Sequence, residues 1–388
     1  MQHQIQTINN ISPLGLNRFD SSIYAVSDSI TEPDAIMLRS QKIHEMQFSD
    51  KLKAVGRAGA GVNNIPVEKL TELGVPVFNA PGANANAVKE LVIAGLLISV
   101  RNLLDAATYT GALASEGEAL DKEVEGGKKK FVGRELPGRT LGVVGLGAIG
   151  VEVANAAAAL GMKVIGYDPA VTVANAWKLS RQIEKAQSVG DVFSQSEFIT
   201  VHVPLIDATR NLVSADALAA MQDDGVILNF ARAGIVDDEA VLKSLDAGKL
   251  KNYVTDFPTR ETINHPSVIT MPHLGASTAE AEENCAMMVA DQLQEFLEHG
   301  NIKNSVNLPS IELSRKSDFR LAVIHQNVPD MVGQISHQLG QSSVNIEHMI
   351  NESRDSIACT LIDLDKALPN DTLNAILDIE GVIKARSI

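Results

Sequence analysis

Cysteine is nearly absent: Cys285 and Cys359 are the only two in 388 residues. A disulfide framework and a cysteine-rich metal site are thereby excluded, no metal is expected, and the composition fits a reducing compartment. Basic residues are outnumbered, 33 against 48 acidic, for a net charge of −15. Such a balance argues against nucleic acid or an anionic membrane as the main partner. An anionic substrate would need a local basic pocket. Long apolar runs are missing as well. The best, residues 91–100, is half the length needed to span a bilayer. The opening MQHQIQTINN lacks the basic-then-apolar pattern of a secretory signal. The expectation is a soluble, cytoplasmic protein. What is present, 45% hydrophobic and 21% charged residues, describes an ordinary globular chain long enough for two or three domains.

One stretch organises the rest. Residues 141–150 read LGVVGLGAIG, and Asp168 follows eighteen residues after Gly150. A buried strand ends at Val144, the glycines Gly145, Gly147 and Gly150 form G-x-G-x-x-G, an Ala-rich helix follows over 149–160, and a second strand over 163–167 ends at Asp168. Gly145 permits the tight turn, Gly147 admits a pyrophosphate to the backbone, and Gly150 lets helix and strand pack closely. The helix N-terminus adds free N–H groups and a positive dipole. Asp168 would bond an adenosine ribose and repel a 2′-phosphate, so NAD is expected as the cofactor.

Before this unit, residues 35–38 and 53–55 read as strands, 67–73 as a short helix and 75–78 as a strand. This small α/β unit precedes the dinucleotide motif, so the cofactor domain is inserted in another domain. Residues 79–86, NAPGANAN, form a turn-rich joint. Residues 87–114 read as one long helix, and 117–138, with Lys128, Lys129, Lys130 and Arg134, as a solvated surface loop. Strands then alternate with helices to about residue 271, which implies a doubly wound parallel sheet. A helix runs from 277 to 299. A polar stretch with Pro309 marks a linker, and the last seventy or so residues read βαββαβ, the split ferredoxin-like order. The expected domains are 1–82 with 277–305 (substrate), 83–276 (NAD), 306–317 (linker) and 318–388 (regulatory).

In doubly wound sheets ligands lie beyond the carboxyl ends of the strands. Polar residues expected there are Arg232 in NFARAGIVD, Asp256 and Glu261 in TDFPTRE, and His273 in PHLGAST. Oxidising a hydroxy acid with a nicotinamide needs a base for the hydroxyl proton, a cation for the carboxylate, and a group that sets the base. His273 is the natural base, since imidazole as a group titrates near neutral pH, Glu261 would orient it and favour its imidazolium, and Arg232 offers a planar fork. Arg39, followed by Ser40, and Arg57 place two cations in the first domain, more than a carboxylate alone requires.

These motifs, taken with GLGAIG, resemble the D-isomer-specific 2-hydroxyacid dehydrogenases over about residues 20–300. The resemblance implies a Rossmann-type NAD domain inserted in a smaller flavodoxin-like substrate domain, with Arg232, Glu261 and His273 catalytic. It further implies that Asp168 binds the ribose and that Ala148 and Ile149 touch the pyrophosphate. Phe230, Ala231, Asp256, His273, Leu274, Gly275 and Ala276 would line the nicotinamide side. The N–H groups of Ala60 and Gly61 would hold the substrate carboxylate, and Asn84 would line the same cleft. Two departures stand out: Ala233 where the family usually has Gly, and Thr262 where Pro usually follows the glutamate.

Residues 318–388 resemble an ACT domain, a regulatory module for small amino acids. His325, Asn327 and Asn345 match positions that bind serine in bacterial members of the branch that oxidises 3-phospho-D-glycerate. Here Asp330 stands where the module commonly has Gly, with Gly333 nearby. The resemblance thus implies NAD-dependent oxidation of 3-phospho-D-glycerate in serine biosynthesis, serine as effector, and a homodimer or homotetramer. Domain closure about 79–82 and 275–278 is expected. A dehydrogenase for non-phosphorylated acids (glyoxylate or hydroxypyruvate reductase) and an NAD-sensing binding protein, like the C-terminal-binding corepressors, are the rivals.

Overall fold

A computed structural model describes residues 2–388. The chain forms two compact units, one of residues up to Ala83 together with Ala279–Ile388, the other Asn84–Thr278.

In the first unit, β1 (His3–Ile8), β2 (Tyr24–Ser27), β3 (Ala35–Leu38), β4 (Ala54–Arg57) and β5 (Val77–Phe78) form a parallel sheet in the order β2-β1-β3-β4-β5. This is the flavodoxin-like order. All four residues of β3 are buried, as in a strand covered on both faces. β1 reads HQIQTI and fully buries Ile5 alone, so its apolar signal is too thin to stand out in the sequence. The helix Ala279–His299 returns to this sheet. A Cβ on Gly56 would lie 2.5 Å from Val289 Cγ1, and the missing side chain lets the helix lie close to β4.

The second unit carries β6 (Thr140–Val144), β7 (Lys163–Tyr167), β8 (Ile183–Lys185), β9 (Phe198–Val201), β10 (Gly225–Asn229), β11 (Leu250–Thr255) and β12 (Val268–Thr270). Every pair is parallel, in the order β12-β11-β10-β9-β6-β7-β8. This is the doubly wound Rossmann arrangement with one added strand, and strand order reverses between β6 and β9. The helix expected over 87–114 is two helices. Ala85–Arg101 and Leu103–Gly111 are bent by 68°, because Asn102 sits in the left-handed region at φ 50°. The stretch 117–138 is not all loop: Gly117–Gly127 is a helix and Lys128–Phe131 a 3₁₀ turn, both largely exposed. Their polarity marks a solvated face and did not reveal the helix. No single helix among the described residues is long and apolar enough to cross a membrane.

The C-terminal part of the first unit has β13 (Phe319–Gln326), β14 (Ile346–Arg354), β15 (Ile357–Leu364) and β16 (Val382–Ser387) with helices Met331–Gln341 and Asn370–Leu377. The chain order is βαββαβ, and the antiparallel sheet runs β14-β15-β13-β16, an ACT-like unit. Leu321, Val323 and Ile362 face its helices, whereas Ala322, Ile324, Cys359 and Leu361 join the core containing Phe296, Leu297 and Ile302. The stretch read as a linker is anchored. Leu308 and Ile311 are buried, Ile311 bridges Ile302, and the Asn307 side chain bonds Val77 N, Thr71 Oγ1 and Val75 O.

Candidate active site

Gly145 follows β6 at φ 94°, and a Cβ there would lie 2.6 Å from the carbonyl oxygen of His202, which follows β9. Only glycine suits that backbone and that contact. Gly150 is tighter still, since its Cβ would meet Gly145 O at 1.9 Å. Gly147 has the opposite character: nothing lies within 4 Å of its Cβ position. Gly147 also caps helix Ala148–Ala159 without a side-chain hydrogen bond, so the first-turn N–H groups are available to an anion. Ala148 is exposed and Ile149 half-buried. Asp168, just beyond β7, locks the turn, its Oδ2 accepting from Leu146 N and its Oδ1 from Ala170 N, both at 2.8 Å.

At the ends of β10 and β11 a buried network shapes the next two loops. Asn229 Nδ2 donates to Arg232 O at 2.9 Å and its Oδ1 accepts from Ala231 N. Thr255 Oγ1 donates to Asn229 O and accepts from Phe257 N. Both side chains were missed in the sequence; a buried polar residue at a strand end was the available signal. The exposed Arg232 side chain donates to Ala231 O at 2.7 Å. Ala233 needs no left-handed backbone, because the positive φ of this turn, 82°, falls on Gly234. That departure from the family pattern therefore costs no left-handed backbone strain.

His273 is exposed and sits at φ 29°, a strained value for a side-chain-bearing residue. It is held by its N–H on Asp256 O at 3.0 Å and by its ring against Phe257, centroids 4.9 Å apart. Asp256 is buried; desolvation raises its carboxyl, opposed by the Gly275 N–H on Oδ2 and by His273. Its Oδ1 has no partner. Phe230 is buried, while Leu274 and Ala276 are exposed. Together with the open path at Gly147 and the uncapped helix, these residues fit NAD.

The expected pairing of Glu261 with His273 is not formed: among the described residues, no hydrogen bond or ion pair joins them. Glu261 is exposed, and its charge acts on Asp238, whose carboxyl is raised first by burial. Thr262, the residue after Glu261, is fully buried. Its hydroxyl accepts from Thr259 N and donates to Thr259 O, pinning the loop base.

In the other unit, Arg57 Nε donates to Arg39 O at 3.0 Å, joining the ends of β4 and β3. Asn9 Oδ1 accepts from Ser40 N. The turn after Arg57 is secured by Asn79 Nδ2 on Ala60 O, and the N–H groups of Ala60 and Gly61 have no backbone acceptor. Asn84 belongs to the second unit, where it precedes helix Ala85–Arg101 with a buried, unpaired Oδ1.

In the ACT-like unit His325 is buried, its Nε2 near Thr360 Oγ1 (2.9 Å) and Asn351 Oδ1 (3.2 Å). Asn327 grips the β14–β15 turn through Asp355 O and Ser356 O. Asn345 lies at the other end of the sheet, since Ile346 pairs with Leu364 and Leu364 with Phe319. At ~3.3 Å per residue, roughly 20 Å separates it from His325, so one copy does not bring the three together. Asp330 takes the left-handed backbone (φ 66°) expected of the module's glycine. A Cβ on Gly333 would lie 2.4 Å from Asp330 Oδ1, so these two departures accommodate each other.

Fold and site define an NAD-binding oxidoreductase. Residues 107–275 match the family described as D-isomer specific 2-hydroxyacid dehydrogenase, NAD binding domain. The hydroxypyruvate reductase of Thermotoga maritima is 35% identical over 68% of this chain and 85% of its own length. The D-3-phosphoglycerate dehydrogenase of Haemophilus influenzae is 29% identical over 93% of this chain and 88% of its own. Other D-3-phosphoglycerate dehydrogenases, 32–36% identical, are longer, and the chain spans 51–60% of their length. The structure of NAD+-bound 3-phosphoglycerate dehydrogenase from Entamoeba histolytica has a TM-score of 0.60, 26% identity, and coverage of 79% of this chain and 99% of that one. The chain belongs to the D-isomer-specific 2-hydroxyacid dehydrogenase family.

Proposed function

We propose that this protein oxidises 3-phospho-D-glycerate at C2 to 3-phosphooxypyruvate with NAD, in the cytoplasm, as the first step of L-serine biosynthesis. The observation that carries the phosphorylated substrate is the joining of Arg39 and Arg57 at neighbouring strand ends of the first unit. With the substrate carboxylate on the N–H groups of Ala60 and Gly61, the positive charge of the two side chains, one of them already paired with Glu282, is what draws a phosphate. Ser40 and Asn84 complete the proposed substrate set. The names of the relatives agree with this reading.

Bound NAD supplies the hydride acceptor. Gly145, Gly147, Ala148, Ile149 and Gly150 hold its pyrophosphate, Asp168 its ribose. Phe230, Ala231, Asp256, Leu274, Gly275 and Ala276 present the other end. Neutral His273 takes the hydroxyl proton, and the Arg232 fork binds the acid and its developing carbonyl oxygen. Glu261 acts on His273 once its exposed loop tip shifts, the buried Thr262 serving as the fixed base.

Serine is the proposed effector. Because Asn345 and His325 lie at opposite ends of one sheet, a serine site using both needs a second copy, which fits a homodimer or homotetramer. The name of the Thermotoga maritima relative supports a second reading, reduction of a non-phosphorylated acid such as hydroxypyruvate. NADH formation with 3-phospho-D-glycerate, set against a series of non-phosphorylated 2-hydroxy acids, separates the two. Arg57→Ala should raise KM for the phosphorylated acid roughly tenfold or more. An unchanged KM overturns the phosphate assignment, and no NADH with any acid supports a pure NAD binder. Millimolar serine without effect would remove it as an effector.

A further inference from the structure

Arg39 already holds a carboxylate. Its Nη2 donates to Oε1 of Glu282, near the start of helix Ala279–His299. Both side chains are 41% exposed, so solutes can reach the pair. The backbone of Arg39 is fixed from two directions, its carbonyl accepting from Arg57 Nε at 3.0 Å and Asn64 Nδ2 at 3.2 Å. Asn64 is itself buried. With the main chain pinned, Glu282 decides where the guanidinium rests. One helical turn on, the Cys285 thiol reports the same grouping. Burial raises it most, Arg57 and Arg39 act to lower it, and Glu282 acts to raise it. Two guanidiniums and one carboxylate therefore share one small region. Among the described residues the Arg39–Glu282 bond uses Nη2 alone, so the Nη1 N–H beside it can still donate to an incoming anion.

We propose that Glu282 is a specificity-determining residue, which positions Arg39 and tempers its positive charge toward the substrate's second anionic group. This rests on the reading that Arg39 and Arg57 receive the phosphate. A dianion entering beside a carboxylate meets its repulsion as well as the attraction of two guanidiniums. The balance holds the phosphate in register and keeps it loosely enough bound to leave with the product. A side chain of the same shape without the charge would hold Arg39 equally well and bind phosphate more tightly. A purely structural carboxylate predicts the reverse, because its loss would disorder Arg39 and weaken binding.

The experiment measures dissociation constants of inorganic phosphate and of 3-phospho-D-glycerate by calorimetry on the full-length, NADH-loaded protein, with kinetics alongside. Glu282→Gln, Arg39→Met and the double variant are compared with wild type. Glu282→Gln should tighten phosphate and lower the KM for 3-phospho-D-glycerate by roughly five- to tenfold. The KM for non-phosphorylated D-glycerate should move less than about twofold. In the Arg39→Met background the same change should have no effect, as expected when one residue acts through the other. Unchanged or weaker phosphate binding in Glu282→Gln overturns the proposal. So does an equal effect with and without Arg39, or the absence of phosphate binding to every form. Tighter phosphate binding in a protein that oxidises no phosphorylated acid would leave this role standing and remove the substrate reading instead.

Discussion

Arg320 and Asp363 form a two-bond ion pair with neither side chain exposed: Nε meets Oδ1 at 2.6 Å and Nη2 meets Oδ2 at 3.1 Å. Arg320 Nη1 continues to the carbonyl of His299, at the end of the long helix. Arg386 donates to Phe296 O and Leu297 O, and Arg315 to Glu298 O. Guanidiniums from the C-terminal part of the unit thus donate to the last-turn carbonyls, of which Phe296 O also accepts from Gly300 N and the rest lack a partner within the helix. Asp363→Asn, which strands a buried cation, should cost about 3–5 kcal/mol. Replacing Arg320 and Asp363 together with Met and Leu should cost far less. Urea unfolding of the three proteins tests this, and equal losses would refute it. Burial raises the Asp363 carboxyl, but the bonds from Arg320 and Lys316 N outweigh it and hold the carboxyl below its usual value. Its contribution is therefore complete above the unfolded carboxylate pKa and disappears as pH falls through the folded one.

The glycine turn makes a paired prediction. Gly147→Ala meets no neighbour, so thermal unfolding should be nearly unchanged while NADH affinity drops tenfold or more, on the order of 1.4 kcal/mol. Gly150→Ala collides with Gly145 O and should lose both. Normal NADH binding by Gly147→Ala would show that the pyrophosphate does not pass there.

His202 predicts a pH dependence. Its Nε2 lies 3.0 Å from Thr200 Oγ1, its Nδ1 is buried without a partner, and burial pushes its pKa down to about 4. The unfolded chain takes up a proton near pH 6.5, the folded chain only near 4. Stability should therefore be full above about pH 6.5 and fall as pH drops toward 4, by on the order of 3 kcal/mol. Unfolding free energies of wild type and His202→Gln across this window check the point, since the variant should lack that slope.

His273→Asn should lower kcat by about 10²–10⁴ and leave NADH affinity within a few fold. Arg232→Lys keeps the charge but loses the planar fork, so its KM should rise despite the conservative appearance. Steady-state rates with direct NADH titration separate these outcomes. A His273→Asn enzyme of near-normal kcat would remove the base from the mechanism.

Local pattern was enough for the dinucleotide unit. β7 occupies residues 163–167, as its KVIGY run implies, and Gly145 and Gly150 stand where a side chain would collide with neighbouring backbone. It was enough for the βαββαβ order too, because strand and helix periods are properties of short windows. Apolar spacing could not show the break at Asn102, where a single left-handed residue bends an otherwise continuous helix. β1 escaped notice because neighbours in the sheet, rather than its own Gln-rich alternation, make it a strand.

Residue types alone determined which groups can carry chemistry here: a glycine turn with a terminal acid, a histidine, and arginines. Which of them meet was decided only in three dimensions. Glu261 was left exposed and without a bond to His273, whose ring packs on Phe257, Arg39 acquired Glu282 from 243 positions away, and Asn345 was carried to the far end of the sheet from His325. A side chain's chemistry is intrinsic and can be read in place. Its partner depends on how separate elements pack, and that distance is written in no local stretch of the chain.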